Sequence, residues 1–279
     1  MGKVGLEAAL RGTAMRRLLL TLHGTKCPFR CTYCFADFSQ YQRPVTLDAV
    51  ENNPQLLRNV DVVYPACDVD LFALPDAVAI LQRTAKLGKS ISVSTKARLS
   101  LGVLRELPSV VNSLHDVGCV LKVGVSFSTK RSVPKIEPGT AAYETRLQNL
   151  QGLRSAGLHS AAVLKPILVD VPVDEYLEIV DDTSAFTDLY LLGDRYLDSG
   201  TCGRMSDEGV QRITRSVEWA VNQPIWPVEV AAVHVAAIQS AVSAKGCRYF
   251  DSDGKLMNVL ISSISGSRCE PVGSGTTAG

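Results

Sequence analysis

Arg17-Leu-Leu-Leu-Thr-Leu-His-Gly-Thr-Lys-Cys27-Pro-Phe-Arg-Cys31-Thr-Tyr-Cys34 is the stretch on which the reading of this chain turns. Its opening run, Arg17 to His23, is apolar and closes at Gly24, which is the pattern of a short buried strand. Three cysteines then follow with the spacing Cys-x3-Cys-x2-Cys. Thiolates gathered on one tight loop suit a soft metal or an iron–sulfur cluster. A structural zinc site takes four ligands, often as two paired hooks. No second hook is visible, since Cys67, Cys119, Cys202, Cys247 and Cys269 each stand alone in the sequence. Three ligands on a four-iron cluster leave one iron open, and an open coordination position is reactive. A zinc or redox motif is the competing reading of the three thiols taken by themselves.

Outward from this loop the chain alternates strand and helix. Strand candidates are Val60 to Tyr64, Ser90 to Thr95, Val120 to Phe127, Ala161 to Leu168 (broken by Pro166) and Leu189 to Leu192. Helical periodicity falls between them, over Ala73 to Leu87, Leu101 to Leu114, Thr140 to Ala156 and Asp174 to Asp182. Such alternation implies parallel strands joined by helical crossovers. The expected fold is therefore α/β, a partial (β/α)6 TIM-like barrel over residues 1–198. A C-terminal helical and hairpin extension over 199–261 is expected to close it. It would hold a helix over Ser206 to Asn222, a helix over Val228 to Ala244, and a hairpin around Asp253-Gly254. The Ser-, Gly- and Thr-rich stretch 262–279 reads as a disordered tail.

Composition limits the function classes. The chain has 279 residues, 29 Lys+Arg against 28 Asp+Glu, a net charge of +1 and 46% hydrophobic residues. It can bury a sizeable core, and balanced charge argues against a surface built wholly for nucleic acid. No apolar run approaches a membrane span, and Arg16-Arg17 against three leucines with no small-residue cleavage site does not read as a signal peptide. A cytoplasmic protein with no membrane partner is the expectation. Gly88-Lys89-Ser90 lacks the earlier glycine of a phosphate loop, and Asp251 to Gly254 reads as a turn rather than a calcium loop.

Cys27, Cys31, Tyr33 and Cys34 resemble the CxxxCx-aromatic-C signature of the radical S-adenosylmethionine superfamily, in its usual place after the first barrel strand. The resemblance spans roughly Arg17 to Leu197. Ser94-Thr95-Lys96, Val125-Ser126-Phe127, Cys67-Asp68 and Glu137-Pro138-Gly139-Thr140 with Arg146-Leu147 resemble segments of the spore photoproduct lyase branch. The resemblance implies a [4Fe–4S] cluster on Cys27, Cys31 and Cys34 whose open iron chelates S-adenosylmethionine. Reductive cleavage to methionine and a 5′-deoxyadenosyl radical would follow, then hydrogen abstraction from a substrate. It implies that Lys96 and Ser126 hold the carboxylate of S-adenosylmethionine, that Cys67 or Asp68 receives its amino group, and that Tyr33 flanks the cluster near the adenine. Arg146 is carried over as a further cofactor-binding residue. An electron donor such as flavodoxin or ferredoxin is implied as a partner.

The sequence also departs from that branch. Pro65 stands where the branch has its hydrogen-donor cysteine, and Phe35 stands where it has a relay tyrosine. Cys67 and Tyr33 are then the candidate catalytic residues, Cys67 as a displaced hydrogen donor. Around Cys247 to Met257 only Arg248 and Lys255 are basic, which is little for a DNA-contacting hairpin. The expected reaction is therefore a lyase-like or other radical transformation of a small-molecule or peptidic substrate. Nucleic-acid lesion repair and a non-enzymatic metal-binding role are the alternatives.

Overall fold

The computed structural model describes residues 15–22, 26–34, 45–197, 211–216 and 225–267. The barrel elements run β1 (Arg17–Leu19), α1 (Leu47–Asn52), β2 (Val62–Tyr64), α2 (Ala77–Ala85), β3 (Ser90–Thr95), α3 (Leu101–His115) and β4 (Leu121–Ser126). There follow α4 (Val133–Ile136), α5 (Tyr143–Ser155), β5 (His159–Leu164), α6 (Val173–Thr183) and β6 (Leu189–Leu192). Local chemistry sets the boundaries. Thr46 and Ser100 cap α1 and α3 by accepting from Ala49 N and Val103 N. Gly157, at φ 69°, lets the chain leave α5 and enter β5.

Strands β1 to β6 pair in parallel, in sequence order. Both faces of the sheet are buried; β2 and β6 read as apolar runs, whereas β3 alternates serines with Ile91 and Val93. One face, with Val63, Ile91, Val93, Val123, Val125 and Leu164, packs on the helices. The other carries Val62, Val120, Ala161, Val163, Leu189 and Leu191. The expectation of strands joined by helices is met. The strand expected over Ala161 to Leu168 instead runs from His159 to Leu164 and stops ahead of Pro166.

The C-terminal part differs from the sequence expectation. A three-stranded antiparallel sheet forms from β7 (Arg195–Tyr196), β8 (Gln211–Ser216) and β9 (Ile225–Val230), in the order β7-β9-β8. The helix expected over Ser206 to Asn222 is a strand in its described portion, where Ile213 pairs with Val228 and Arg215 with Trp226. The helix expected from Val228 begins later, as α7 (Ala232–Ala244), because Val228 to Val230 are committed to β9. The expected hairpin is instead β10 (Arg248–Phe250), parallel to β6, followed by α8 (Asp253–Ser267). Among the described residues the main sheet thus has seven parallel strands, ordered β1-β2-β3-β4-β5-β6-β10. No closing ladder between β1 and β10 occurs among the described residues. Helix α8 also takes up the start of the expected tail, whose residues from 268 lie outside the described ones. Among the described residues no helix is long and apolar enough to cross a membrane.

Helix α8 lies on the sheet face that the other helices leave open. Leu256, Met257 and Leu260 pack there against Val62, Val120, Ala161 and Leu189. Its first residue anchors it. The Asp253 carboxylate accepts from Lys122 Nζ at 2.6 Å, Ser92 Oγ at 2.7 Å and the Tyr64 hydroxyl at 2.6 Å. Burial pushes Asp253 up, but the Lys122 charge and the three donors outweigh it and hold its carboxyl below the ordinary carboxylate value. A depressed folded pKa stabilises above the unfolded value of about 4, and the contribution disappears as acid titrates the folded carboxylate. Urea unfolding followed by circular dichroism should therefore show a midpoint that falls as pH drops from 6 through about 4 and below. Asp253→Asn should remove its share of that dependence. An identical pH profile in the variant would refute the assignment.

Candidate active site

A cavity of about 380 Å3 lies among strands β1 to β6 and the loops that follow them, bordered among others by Arg17, Tyr64, Thr95, Lys96, Ser126 and Lys165. Cys27, Cys31 and Cys34 all face it from the loop after β1. Cys34 is exposed, and the other two are half-buried. The loop turns tightly. Arg30 sits in the left-handed region at φ 51°, and Cys34 N donates to Cys31 O at 3.1 Å.

The segment after α4 clamps this loop from below. Thr32 N donates to Ile136 O at 2.9 Å, and Gly139 N donates to Phe29 O at 3.1 Å. A Cβ on Gly139 would lie 2.7 Å from Phe29 Cα and 2.8 Å from Pro28 O, so only glycine allows this approach. Gly139→Ala must push the cysteine loop away, and we expect it to cost about 1–3 kcal/mol of stability. Iron retained after anaerobic reconstitution should fall several-fold while the circular dichroism stays that of the parent. Full iron loading in this variant would show that the clamp does not matter.

Behind the clamp lies a polar network buried among apolar side chains. Glu137 and Arg146 have no exposed side-chain surface and pair at 2.7 Å. Arg146 also donates to Ser126 O at 2.8 Å, and its guanidinium lies over the Phe127 ring. The Tyr33 hydroxyl donates to Glu137 Oε1 through a short contact and lies 3.0 Å from Ser128 Oγ. Burial, and then the Glu137 carboxylate, keep the Tyr33 phenol protonated far above its ordinary value. Lys96 bridges this network to the cavity. Its Nζ donates to Ser126 Oγ at 2.7 Å, lies 3.8 Å from Glu137 Oε1 and sits over the Tyr33 ring. Asp70 fixes the Lys96 backbone by accepting from Lys96 N at 2.6 Å and Thr95 Oγ1 at 2.8 Å.

The structure thus brings Cys27, Cys31, Cys34, Tyr33, Cys67, Asp68, Lys96 and Ser126 onto one cavity. Asp68 Oδ1 accepts from Leu22 N at 3.2 Å, which ties β1's exit to the loop after β2. Cys67 lies within reach of Tyr64 O, and burial raises its thiol above the ordinary value. Arg146 departs from the sequence expectation. It does not border the cavity, and its buried guanidinium holds Glu137 and Ser126 instead of a ligand. Phe35, Cys202 and Cys269 lie outside the described residues. Sequence reasoning gave no role to Glu137, Asp70, Lys165 or Asp253. Glu137 was legible as a residue of the Glu-Pro-Gly-Thr segment, and Lys165 as a lysine at the end of a barrel strand. Asp253 carried only the local signal of a turn, not of a buried anchor.

The donor set fits an iron–sulfur cluster. Burial pushes the Cys31 thiol up to about 12, so a bound metal must displace its proton. Among the described residues no three His, Cys, Asp or Glu side chains are grouped tightly enough for a single metal ion. A four-iron cluster takes each cysteine on a different iron, so its ligands need not converge on one point.

No protein-family model matches the chain. An uncharacterized protein of Methanocaldococcus jannaschii is 26% identical over 173 residues, which cover 59% of this chain and 65% of that protein. The match therefore spans less than two thirds of that relative. Spore photoproduct lyase complexed with dinucleoside spore photoproduct superposes with a TM-score of 0.56 at 14% identity, over 79% of this chain and 71% of the other. A doubly substituted variant of that lyase, with bound AdoMet and dinucleoside spore photoproduct, gives 0.56 at 12% identity, over 82% and 78%. Streptococcus suis SuiB bound to precursor peptide SuiA gives 0.54 at 10% identity, over 89% of this chain and 52% of SuiB. At these identities the likeness is one of fold. The chain shares its fold with spore photoproduct lyase and with SuiB.

Proposed function

We propose that a chain with this fold is itself a radical S-adenosylmethionine enzyme acting on a small or peptidic substrate within the cavity. The observation that carries the reading is the convergence of three cysteines, a lysine–serine pair and an aspartate on one cavity at the C-terminal ends of parallel strands. In this proposal Cys27, Cys31 and Cys34 hold a [4Fe–4S] cluster. With S-adenosylmethionine bound, the cluster supplies reductive cleavage to a 5′-deoxyadenosyl radical, the hard chemistry of the reaction.

The protein's own groups bind, orient and shield. Lys96 Nζ and Ser126 Oγ, 2.7 Å apart, present a cation and a hydroxyl to a carboxylate. Asp68 presents an acceptor to an ammonium group. Tyr33 lies under Lys96 and, with its hydroxyl committed to Glu137, offers the cavity its ring. Cys67 is the one thiol bordering the cavity outside the cluster loop among the described residues. It is the candidate hydrogen donor, and burial keeps it as the neutral thiol that such a role requires. A cavity of about 380 Å3 is in the range of small-molecule sites. Arg212 and Arg215 on β8 reach Glu229 and Asp194 rather than forming a basic track for nucleic acid. An electron donor such as flavodoxin or ferredoxin would supply the reducing electron.

Anaerobic reconstitution with iron and sulfide, followed by dithionite and S-adenosylmethionine, tests the reading. The expected products are methionine and 5′-deoxyadenosine. A protein that loads zinc instead, and leaves S-adenosylmethionine intact, would overturn it in favour of a metal-binding role.

A further inference from the structure

Besides the cysteine loop, the cavity is bordered by Lys165, where the chain leaves β5, and this part of it is not used by the cofactor site proposed above. The stem of Lys165 packs onto Gly193 so closely that a Cβ there would lie 2.6 Å from its Cγ and Cδ. Its Nζ sits 5.6 Å from the centre of the Tyr196 ring, and both residues border the cavity. Among the described residues, Asp253 and Asp194 exert the carboxylate influence on Lys165, and both are committed elsewhere. Asp253 takes Lys122, Ser92 and Tyr64, and Asp194 takes Arg215 at 2.5 Å. Among the described residues no carboxylate lies within ion-pair distance of Lys165. Arg17 borders the same cavity, and its charge and that of Lys122 add to the positive field at Lys165. Burial, the largest influence, depresses the Lys165 amine. A lysine whose stem packs on Gly193 and whose amine lies over the Tyr196 ring, with its neighbouring acids already paired, lacks the counter-charge that a buried cation needs.

We propose that this part of the cavity binds an oxyanion of the substrate, a carboxylate or a phosphoryl group, on Lys165 with Arg17 reinforcing it. The inference rests on the cavity being the substrate site and adds a chemical class to that reading. It also gives the substrate a direction. The anionic end lies at Lys165, and the remainder extends toward the cysteine loop. The anion would supply the counter-charge that the protein withholds by tying Asp253 and Asp194 to other cations.

Reductive methylation of the full-length chain, read lysine by lysine by mass spectrometry, tests this. Phosphate or acetate should slow modification of Lys165 about tenfold, saturably, relative to chloride at equal ionic strength. The exposed Lys86 should react at the same rate throughout. Protection by phosphate alone assigns a phosphoryl group, and protection by acetate alone assigns a carboxylate. Arg17→Gln should weaken the protection about tenfold, and protection unchanged in that variant would overturn the reinforcement by Arg17. Equal rates in all three salts would overturn the site. The readout needs neither cluster nor S-adenosylmethionine, so its failure leaves the radical chemistry standing. A chain that protects Lys165 yet leaves S-adenosylmethionine intact would separate the two in the other direction.

Discussion

Arg146→Met should lower the stability of this protein by about 3–5 kcal/mol, the usual cost of removing one partner from a buried ion pair. Both side chains of the Glu137–Arg146 pair are fully buried. Once the guanidinium is gone, the carboxylate keeps, among the described residues, only Lys96 Nζ, at 3.8 Å, and the Tyr33 hydroxyl. Glu137→Gln should also be costly, because it strands the guanidinium. The double variant should cost clearly less than the sum of the two, since neither charge is then left without its partner. Urea denaturation of the three variants measures the coupling, and strict additivity would refute it. The pair has a consequence beyond stability. Glu137 holds the hydroxyl of Tyr33, a residue between two of the candidate cluster cysteines, while Arg146 holds the carbonyl of Ser126. Loss of the pair therefore loosens the cysteine loop and the Lys96–Ser126 corner together.

The part of the fold that the sequence revealed is the part whose local pattern and tertiary fate agree. Ser90–Thr95 and Leu189–Leu192 were legible to the residue, the first by its alternation and the second as a short apolar run, each bounded by polar or turn residues. The C-terminal third misled. Asp253-Gly254 has the chemistry of a hairpin turn, yet Asp253 opens α8. Lys122, more than a hundred residues away, takes its carboxylate, and Leu256, Met257 and Leu260 find an unfilled sheet face. No local window contains that information. Similarly, the apolar run from Val228 into Ala244 has no sequence break, but pairing with Gln211–Ser216 draws its first residues into a strand. That the cysteines, Lys96 and Ser126 would border one cavity was legible because they stand in motifs at strand ends. Arg146 had the right motif and a different task. Position in a segment says that a residue is needed, and only packing says whether it faces the ligand or supports the residue that does.

Cys31→Ala and Lys96→Met should separate the two halves of the candidate site. Cys31→Ala removes one of three thiols on a half-buried loop, so it should change stability by only about 1 kcal/mol. It should nevertheless abolish the brown iron–sulfur chromophore after reconstitution and reduce 5′-deoxyadenosine formation to the level of a protein-free control. Lys96→Met is expected to act otherwise. Lys96 touches Ser126 Oγ and the Tyr33 ring but belongs to no thiol set, so iron loading should stay near that of the parent. Loss of a charge-assisted hydrogen bond worth about 1.5–3 kcal/mol should weaken S-adenosylmethionine binding roughly 10- to 100-fold. Equilibrium dialysis on the reconstituted proteins measures both quantities. A Lys96→Met protein that binds S-adenosylmethionine as tightly as the parent would remove Lys96 from the cofactor. A Cys31→Ala protein that still cleaves it would remove the cysteine loop from the chemistry. The two variants should fail differently because, in the proposed site, the loop would hold metal through thiolates, whereas the β3–β4 corner would hold the ligand through charge and a hydroxyl.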